Sequence, residues 1–473
     1  MGRSPRDDSR LNLWRVCVTL VLASLAISGL CVGFCDNRQS LKTMSPFVPA
    51  SPSHDTAAGP ICKEFGLDLN SQLGLISGEA ISDIAFLADG AHLWAAIVVG
   101  AERGGRETMT SSRLVLKCWN IEFGNEESSL LAIRGSRIEE PRLLRRGAAI
   151  LLAAVVDSEL KVFDGATGFH SSTLIGPKGK EWESPFLLFW LQAVRSSDDT
   201  AWVGALRIGG SKGDHFCFWR LTDAPSAATE LVPDVICSCP ADGFYASLSD
   251  LIVDQDGTTY AVIASKSVSA AHRTCYLMGP ITKDSVAADY TEIDSEYPAV
   301  NGRSIPKTPH GRVYARSGLP VAVVKGDFVY FLWQSKWRRK NASLVTRVIR
   351  LRDKSGTPTR VLDPGTTARI REHAIWVEES GEVLAIWSAG DSTSEAKLHV
   401  ATLKPDGTSN MRNEELIGPA QNSSANWTGG FPHLSRGEGS GLYWWIIESD
   451  ARLMLRGADG RLKVTHPLLP RTR

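Results

Sequence analysis

At 473 residues the chain has room for one large repeat domain or two to three ordinary ones. Lysine plus arginine equals aspartate plus glutamate, 52 of each, so no overall basic field exists to attract nucleic acid and no acidic block stands out. With 43% hydrophobic and 22% charged residues, the composition is that of a globular protein with a substantial core.

Residues 1–15 carry Arg3, Arg6, Arg10 and Arg15 and read as a cytoplasmic or signal n-region. They precede Val16–Cys35, 20 residues without a charge. A helix of that length rises about 30 Å, the thickness of a bilayer's hydrocarbon core. The arginine flank favours a cytoplasmic N-terminus, which places everything after Asp36 on the far side of the membrane. A cleaved secretory signal is the rival to a transmembrane anchor, since Ala26 and Ser28 suit cleavage after Ser28. The expectation is a membrane-anchored protein with an extracytoplasmic domain, or a secreted or periplasmic one if the signal is removed. Residues 36–60, rich in Ser, Pro and Ala, read as a flexible linker. The remainder, 61–473, holds no second apolar run of spanning length and is expected to form one domain.

Beyond the apolar run lie Cys62, Cys118, Cys217, Cys237, Cys239 and Cys275. An even number past an export signal permits disulfides. The absence of a Cys-x-x-Cys pair argues against a zinc site, and Cys237-Ser238-Cys239 reads as separately bonded or free thiols rather than a redox pair. Sequons at Asn341, Asn422 and Asn426 are relevant only in a eukaryotic host.

From residue 81 onward a unit recurs: a short apolar strand, a tight turn with Gly or Asp, then a strand rich in aliphatic and aromatic residues. Copies begin at Ile81, Pro141, Leu187, Leu248, Leu319, His373 and Phe431. Their turn residues, Gly90, Gly147, Asp199, Gly257, Gly326, Gly381 and Gly439, are 57, 52, 58, 69, 55 and 58 residues apart. A period of that size with four strands per unit predicts an all-β propeller. Seven copies favour seven blades, and the irregular spacing between 257 and 326 leaves six open. Each copy is apolar at nearly every position, as strands packed on both faces are. The alternating runs that follow, such as RLVLKCWN, HFCFWRLTD and KLHVATLKPDG, are expected to be half exposed near the outer edge. Two stacked β-sandwiches are the structural alternative.

LPVAVVKGDFVYFLWQS, GEVLAIWS and GFPHLSRGEGSGLYWWIIE resemble the inner-strand pattern of the bacterial sialidase-like propeller superfamily, including members without the enzyme's hallmarks. The resemblance covers 240–460 well and 75–235 more weakly. The chain departs from the family in its motifs. No Ser-x-Asp-x-Gly-x-x-Trp turn occurs, Ser196–Trp202 lacking the glycine, and Arg303-Ser304-Ile305-Pro306 replaces the early Arg-Ile-Pro element with an extra residue. The family's arginine triad, tyrosine nucleophile and acid therefore have no assigned positions here.

A sialidase-type reaction needs arginines converging on a carboxylate, an activated tyrosine and a carboxylic acid. Arg312, Tyr314 and Arg316 alternate in RVYAR and would share one face of a strand; the bland reading is a solvated strand surface. His373 begins and His433 nearly begins an inner-strand copy, and both could stand at one mouth of the channel, or simply bond local backbone. Asp83 and Asp250 occupy equivalent positions after a serine, where they could line a site or bond neighbouring-blade backbone. Trp94, Trp333, Trp387, Trp444 and Trp445 sit inside apolar strands and suit packing between blades, whereas Trp427 lies in a polar run suited to a loop tip. No metal-ligand pattern, phosphate-binding loop or nucleophile elbow occurs, so no cofactor is expected.

The sequence thus predicts an extracytoplasmic β-propeller serving as a binding or scaffolding module for protein or glycan. The alternative is a diverged sialidase-like glycoside hydrolase acting in the central channel pocket.

Overall fold

The computed structural model describes residues 66–68, 73, 79–89, 92–101, 112–120, 126–157, 159–175, 187–197, 200–208, 215–222, 230–238, 246–266, 273–282, 290–295, 319–335, 343–363, 370–377, 380–390, 397–412, 433–436, 442–445 and 452–454. All belong to the compact unit Val48–Arg473. The apolar run Val16–Cys35 and the 36–60 stretch lie outside the described residues. No helix among the described residues is long and apolar enough to cross a membrane.

Among the described residues the architecture is all-β and propeller-like, a helical residue at Leu73 and a 3₁₀ turn at Gly165–Thr167 apart. After β1 (Gly66–Asp68) comes a first antiparallel meander, β2–β5 (Glu79–Asp89, His92–Ala101, Ser112–Asn120, Glu126–Gly135). The second is β6–β9 (Ile138–Arg146, Ala149–Val156, Glu159–Asp164, His170–Leu174). The third takes β10–β12 (Leu187–Ser197, Thr200–Ile208, His215–Leu221) and β14 (Val235–Ser238). Between β12 and β14, the two-residue β13 (Glu230–Leu231) crosses to pair in parallel with β9. The fourth is β15–β18 (Ser247–Val253, Thr259–Lys266, Arg273–Met278, Tyr290–Ser295). The fifth is β19–β22 (Val321–Lys325, Phe328–Gln334, Leu344–Arg350, Arg360–Asp363), and the sixth β23–β26 (Ile370–Val377, Val383–Ala389, Lys397–Leu403, Ser409–Arg412). Finally β27 (His433–Arg436) pairs with β28 (Leu442–Trp445), and β29 (Arg452–Met454) pairs with β1.

Every apolar repeat read from the sequence is a hairpin of first and second strands. Gly147, Gly257, Gly326 and Gly381 hold their turns at φ of 56°, 80°, 58° and 79°, the left-handed region that a side chain disfavours. Gly257 is confined twice over, because a Cβ there would lie 2.9 Å from the Ser196 carbonyl of the preceding meander.

The first strands meet in succession: β2 with β6, β6 with β10, β10 with β15, β15 with β19, β19 with β23, β23 with β27, and β27 again with β2. Between successive meanders lie separate apolar cores. Leu116 and Leu152 belong to the one between the first and second, Val162 and Val203 to the next, and Phe218 and Ile263 to the third. Val262 with Phe331, and Leu332 with Ala385, mark the two that follow. Burial of such faces is the main stabilising force of the fold.

The third strands differ from their expected half exposure. On β12, Phe216, Cys217 and Phe218 are fully buried and Trp219 is 1% exposed, and on β4 Leu114, Leu116 and Trp119 are fully buried. A fourth strand covers each of these strands, and both faces of β12 meet neighbouring meanders, so alternation in the sequence does not report exposure. Water reaches the fourth strands instead, as at Val361 on β22 and Met411 on β26, 60% and 50% exposed. Cys118, Cys217, Cys237 and Cys275 are buried; Cys62 and Cys239 lie outside the described residues.

Candidate functional site

Antiparallel order puts the turns after first and third strands at one end of the fold. The connections after second and fourth strands fall at the other, here called the connection end. First strands start there, and five of them carry a register break close to that start. The breaks fall between Ile81 and Asp83, Glu139 and Arg142, Phe189 and Gln192, Leu248 and Asp250, and Ile370 and Glu372. Each places one extra residue on the first strand, a bulge that bends the strand and re-aims its side chains.

A first strand has a ladder partner on one side only, so its other edge presents N–H groups in need of acceptors. Side chains at the bulges supply them across the gaps between meanders. Asp83 accepts from Ile84 N at 2.9 Å through Oδ1 and from Glu140 N of the next meander at 3.2 Å through Oδ2. Glu140 in turn accepts from Leu191 N at 2.6 Å. Gln192 receives Arg142 Nε at 3.3 Å and donates to the Ser249 carbonyl at 2.9 Å. Asp250 repeats the pattern of Asp83, with Leu251 N at 2.9 Å on Oδ1 and Ala322 N at 3.0 Å on Oδ2. His373, 8% exposed, places Nε2 2.9 Å from the Leu319 carbonyl. A polar belt therefore links the first strands at the connection end, with Arg142, held also by the Pro141 carbonyl at 2.8 Å, as its cation.

The belt gathers three of the sequence candidates, Asp83, Asp250 and His373. It adds Glu140, Arg142 and Gln192, which the sequence reading did not single out. A polar residue interrupting the start of an apolar repeat was the available signal, as in Glu139-Glu140-Pro141 and in Gln192 within LFWLQAV. His433 pairs with Trp445 through the backbone of β27 and β28. Arg312, Tyr314 and Arg316, between β18 and β19, lie outside the described residues. So do Trp427, Asn422 and Asn426, between β26 and β27, and Asn341, between β20 and β21.

Chemically, each oxygen of Asp83 and of Asp250 accepts a backbone N–H, an arrangement that fixes the position of the carboxylate. The belt thus works as an inter-sheet fastener whatever else it does. A thiol nucleophile is disfavoured at Cys217 and Cys237. Burial pushes the Cys217 thiol up to about 12, against the opposing effect of Arg207, and pushes Cys237 up to about 11, whereas reactive cysteines need the thiolate. No group of three or more His, Cys, Asp or Glu among the described residues could hold a metal ion. At the opposite end, Arg146 and Asp164 form a buried ion pair at 2.5 Å that ties the first hairpin of the second meander to its 3₁₀ turn.

No known family model matches the chain, and no curated protein matches it. Among solved structures it is similar to a Hadza microbial sialidase, at 10% identity and TM-score 0.41, over 77% of this chain and 76% of that one. It is similar to a thermostable family-43 glycoside hydrolase at 11% identity and TM-score 0.34, over 60% of this chain and 96% of that one. Prolyl oligopeptidase B from Galerina marginata gives 8% identity and TM-score 0.40, over 78% of this chain and 47% of that one. The propeller-like arrangement rests on this chain's own strand pairing, and the chemistry of those enzymes does not transfer to it.

Proposed function

We propose that this chain is an extracytoplasmic, seven-bladed β-propeller that binds or scaffolds a protein or glycan partner at its connection end. In this reading β27, β28, β29 and β1 make up the seventh blade, the first and last parts of the folded region meeting in one sheet. The apolar run Val16–Cys35 carries the domain across the membrane, either as a retained anchor or as a signal removed after Ser28. N-terminal sequencing of the exported protein separates those two outcomes.

The observation that carries the binding reading is the hydrogen bonding of the Asp83 and Asp250 carboxylates. Each spends an oxygen on its own strand and the other on the next meander. A general acid or a nucleophile needs an oxygen facing substrate; groups held this way suit support of a rigid mouth. Loops on such a body are where binding residues collect.

One observation favours a second reading, a diverged sialidase-like glycoside hydrolase. Three carboxylates, Asp83, Glu140 and Asp250, and the guanidinium of Arg142 all stand at the same end of the first strands. Arg312, Tyr314 and Arg316, the arginine–tyrosine cluster of the sequence, are the residues this reading would add, and they lie outside the described residues. Incubating the full chain with a panel of sialosides and neutral glycosides decides between the two. The binding reading expects no release of reducing sugar. Turnover that disappears in Arg312→Ala and Arg316→Ala establishes the hydrolase.

A further inference from the structure

We propose that the end of the fold opposite the connection end carries a binding site of its own, a cleft beside Arg350 that takes a carboxylate borne on an apolar body. The cleft, of about 240 Å³, is lined by Phe328, Val348, Arg350, Ser355 and Thr357 of the fifth meander and by Pro405 of the sixth. It thus lies at a seam between two meanders. Smaller than a pocket for a drug-sized molecule, it suits the end of a ligand or a small acid. Its role is independent of whatever the connection end binds.

Arg350 decides the charge of the ligand. Its side chain is 46% exposed, and its guanidinium carbon lies 5.2 Å from the centre of the Phe328 ring, a contact that steadies the group. The two carboxylates nearest to it stand off: Asp327 Oδ2 and Asp353 Oδ2 are each 3.7 Å away, too far for a hydrogen bond. Each aspartate is held by its other oxygen, on Arg352 N at 3.1 Å and on Ser355 N at 2.9 Å. The N–H fork of Arg350 is therefore anchored without being taken up by either of them. A carboxylate is a group that this fork matches two bonds at a time. Thr357 accepts Val348 N at 3.1 Å through its hydroxyl oxygen, which leaves its own O–H to donate.

The rest of the cleft settles the remainder of the ligand. Phe328, Val348 and Pro405 give it an apolar wall for a hydrocarbon body. Arg350, Arg352, Lys354, Arg360 and Lys404 stand at or beside the two outer turns, against Asp327, Asp353 and Asp406. That is a local positive surplus in a chain with 52 residues of each sign, and it draws an anion. The neighbouring aspartates still penalise a second negative charge, which favours a singly charged carboxylate over phosphate.

The test is isothermal titration of the full chain with hexanoate, hexanamide, inorganic phosphate, and a short apolar peptide carrying a free or an amidated C-terminus. At least one of the two carboxylates should bind while its amide does not, and phosphate should bind more weakly. Whichever carboxylate binds tighter tells a free organic acid from a chain terminus. Arg350→Ala should remove the binding, and Arg350→Lys, which keeps the charge without the fork, should weaken it about tenfold. Arg352→Ala, outside the cleft, should change it less than about twofold. Arg350 is half exposed, so its replacement should leave the fold intact, as a thermal melt checks. Carboxylates that fail to bind, bind no better than their amides, or bind Arg350→Ala unchanged overturn the proposal. Phosphate binding as tightly as the carboxylates overturns the ligand class. The readings of the connection end stand or fall separately, by the glycoside panel.

Discussion

Asp83 and Asp250 each satisfy a backbone N–H on the neighbouring meander that no strand can reach. Replacing either with alanine leaves Glu140 N or Ala322 N without its acceptor, and should destabilise the fold by about 1–3 kcal/mol in urea titration. Asn, which keeps one acceptor oxygen, should cost less. Because the two residues fasten different pairs of meanders, the double variant should show nearly additive losses. The equivalence of the two aspartates was legible in the sequence, each following a serine at the head of an apolar repeat. Glu140 and Gln192 were not, because no serine–aspartate pair marks their bulges, which read Glu139-Glu140 and Leu191-Gln192. The buried thiols give a separate check. With Cys217 at about 12 and Cys237 at about 11, hardly any thiolate exists at pH 8. Alkylation followed by peptide mapping should leave both unmodified in native protein and modify both after denaturation. Fast labelling of either in the native state would mean that the third meander is not packed as described.

At the level of strands, the hairpins were the readable part of the chain, since an apolar run broken by a Gly or Asp turn is enough to specify them. The crossing of β13 was not, because two residues carry no periodicity. Its hold comes from tertiary contacts: the Leu231 carbonyl accepts from Ile175 N and from Trp219 Nε1, both at 3.0 Å. Trp219→Phe removes the second bond while keeping most of the packed volume. Hydrogen exchange at the Ile175 amide should then accelerate, while amides of β7, deep in the same sheet, stay protected. Close approach of neighbouring meanders is just as specific. A Cβ on Gly204 of β11 would lie 2.8 Å from Leu248 Cδ2 and 2.9 Å from Phe218. Gly204→Ala should therefore lower stability by about 1–3 kcal/mol through overpacking, and a neutral thermal melt would show that the third and fourth meanders sit further apart. The burial of β12 escaped the sequence for a related reason: alternation predicts exposure only where one face meets water, and here a meander packs on each side.

On the scale of the whole molecule, the central claim is that the meanders form one ring, closed by the short β1 against β29. The repeat period hinted at it, but Gly66–Asp68 is too short and too distant in sequence from its partner to be recognised as a closing strand. The register pairs Leu67 with Leu453, and directly opposed residues in antiparallel strands stand within disulfide reach. The decisive measurement is oxidation of the full chain carrying Leu67→Cys and Leu453→Cys, with mass-spectrometric mapping of cross-linked peptides and a melt of the product. A closed ring gives a bond between positions 67 and 453 in native protein and a higher melting temperature, since the cross-link restricts the unfolded chain. No such bond under native conditions, or one that leaves the melting temperature unchanged, would contradict the closed ring.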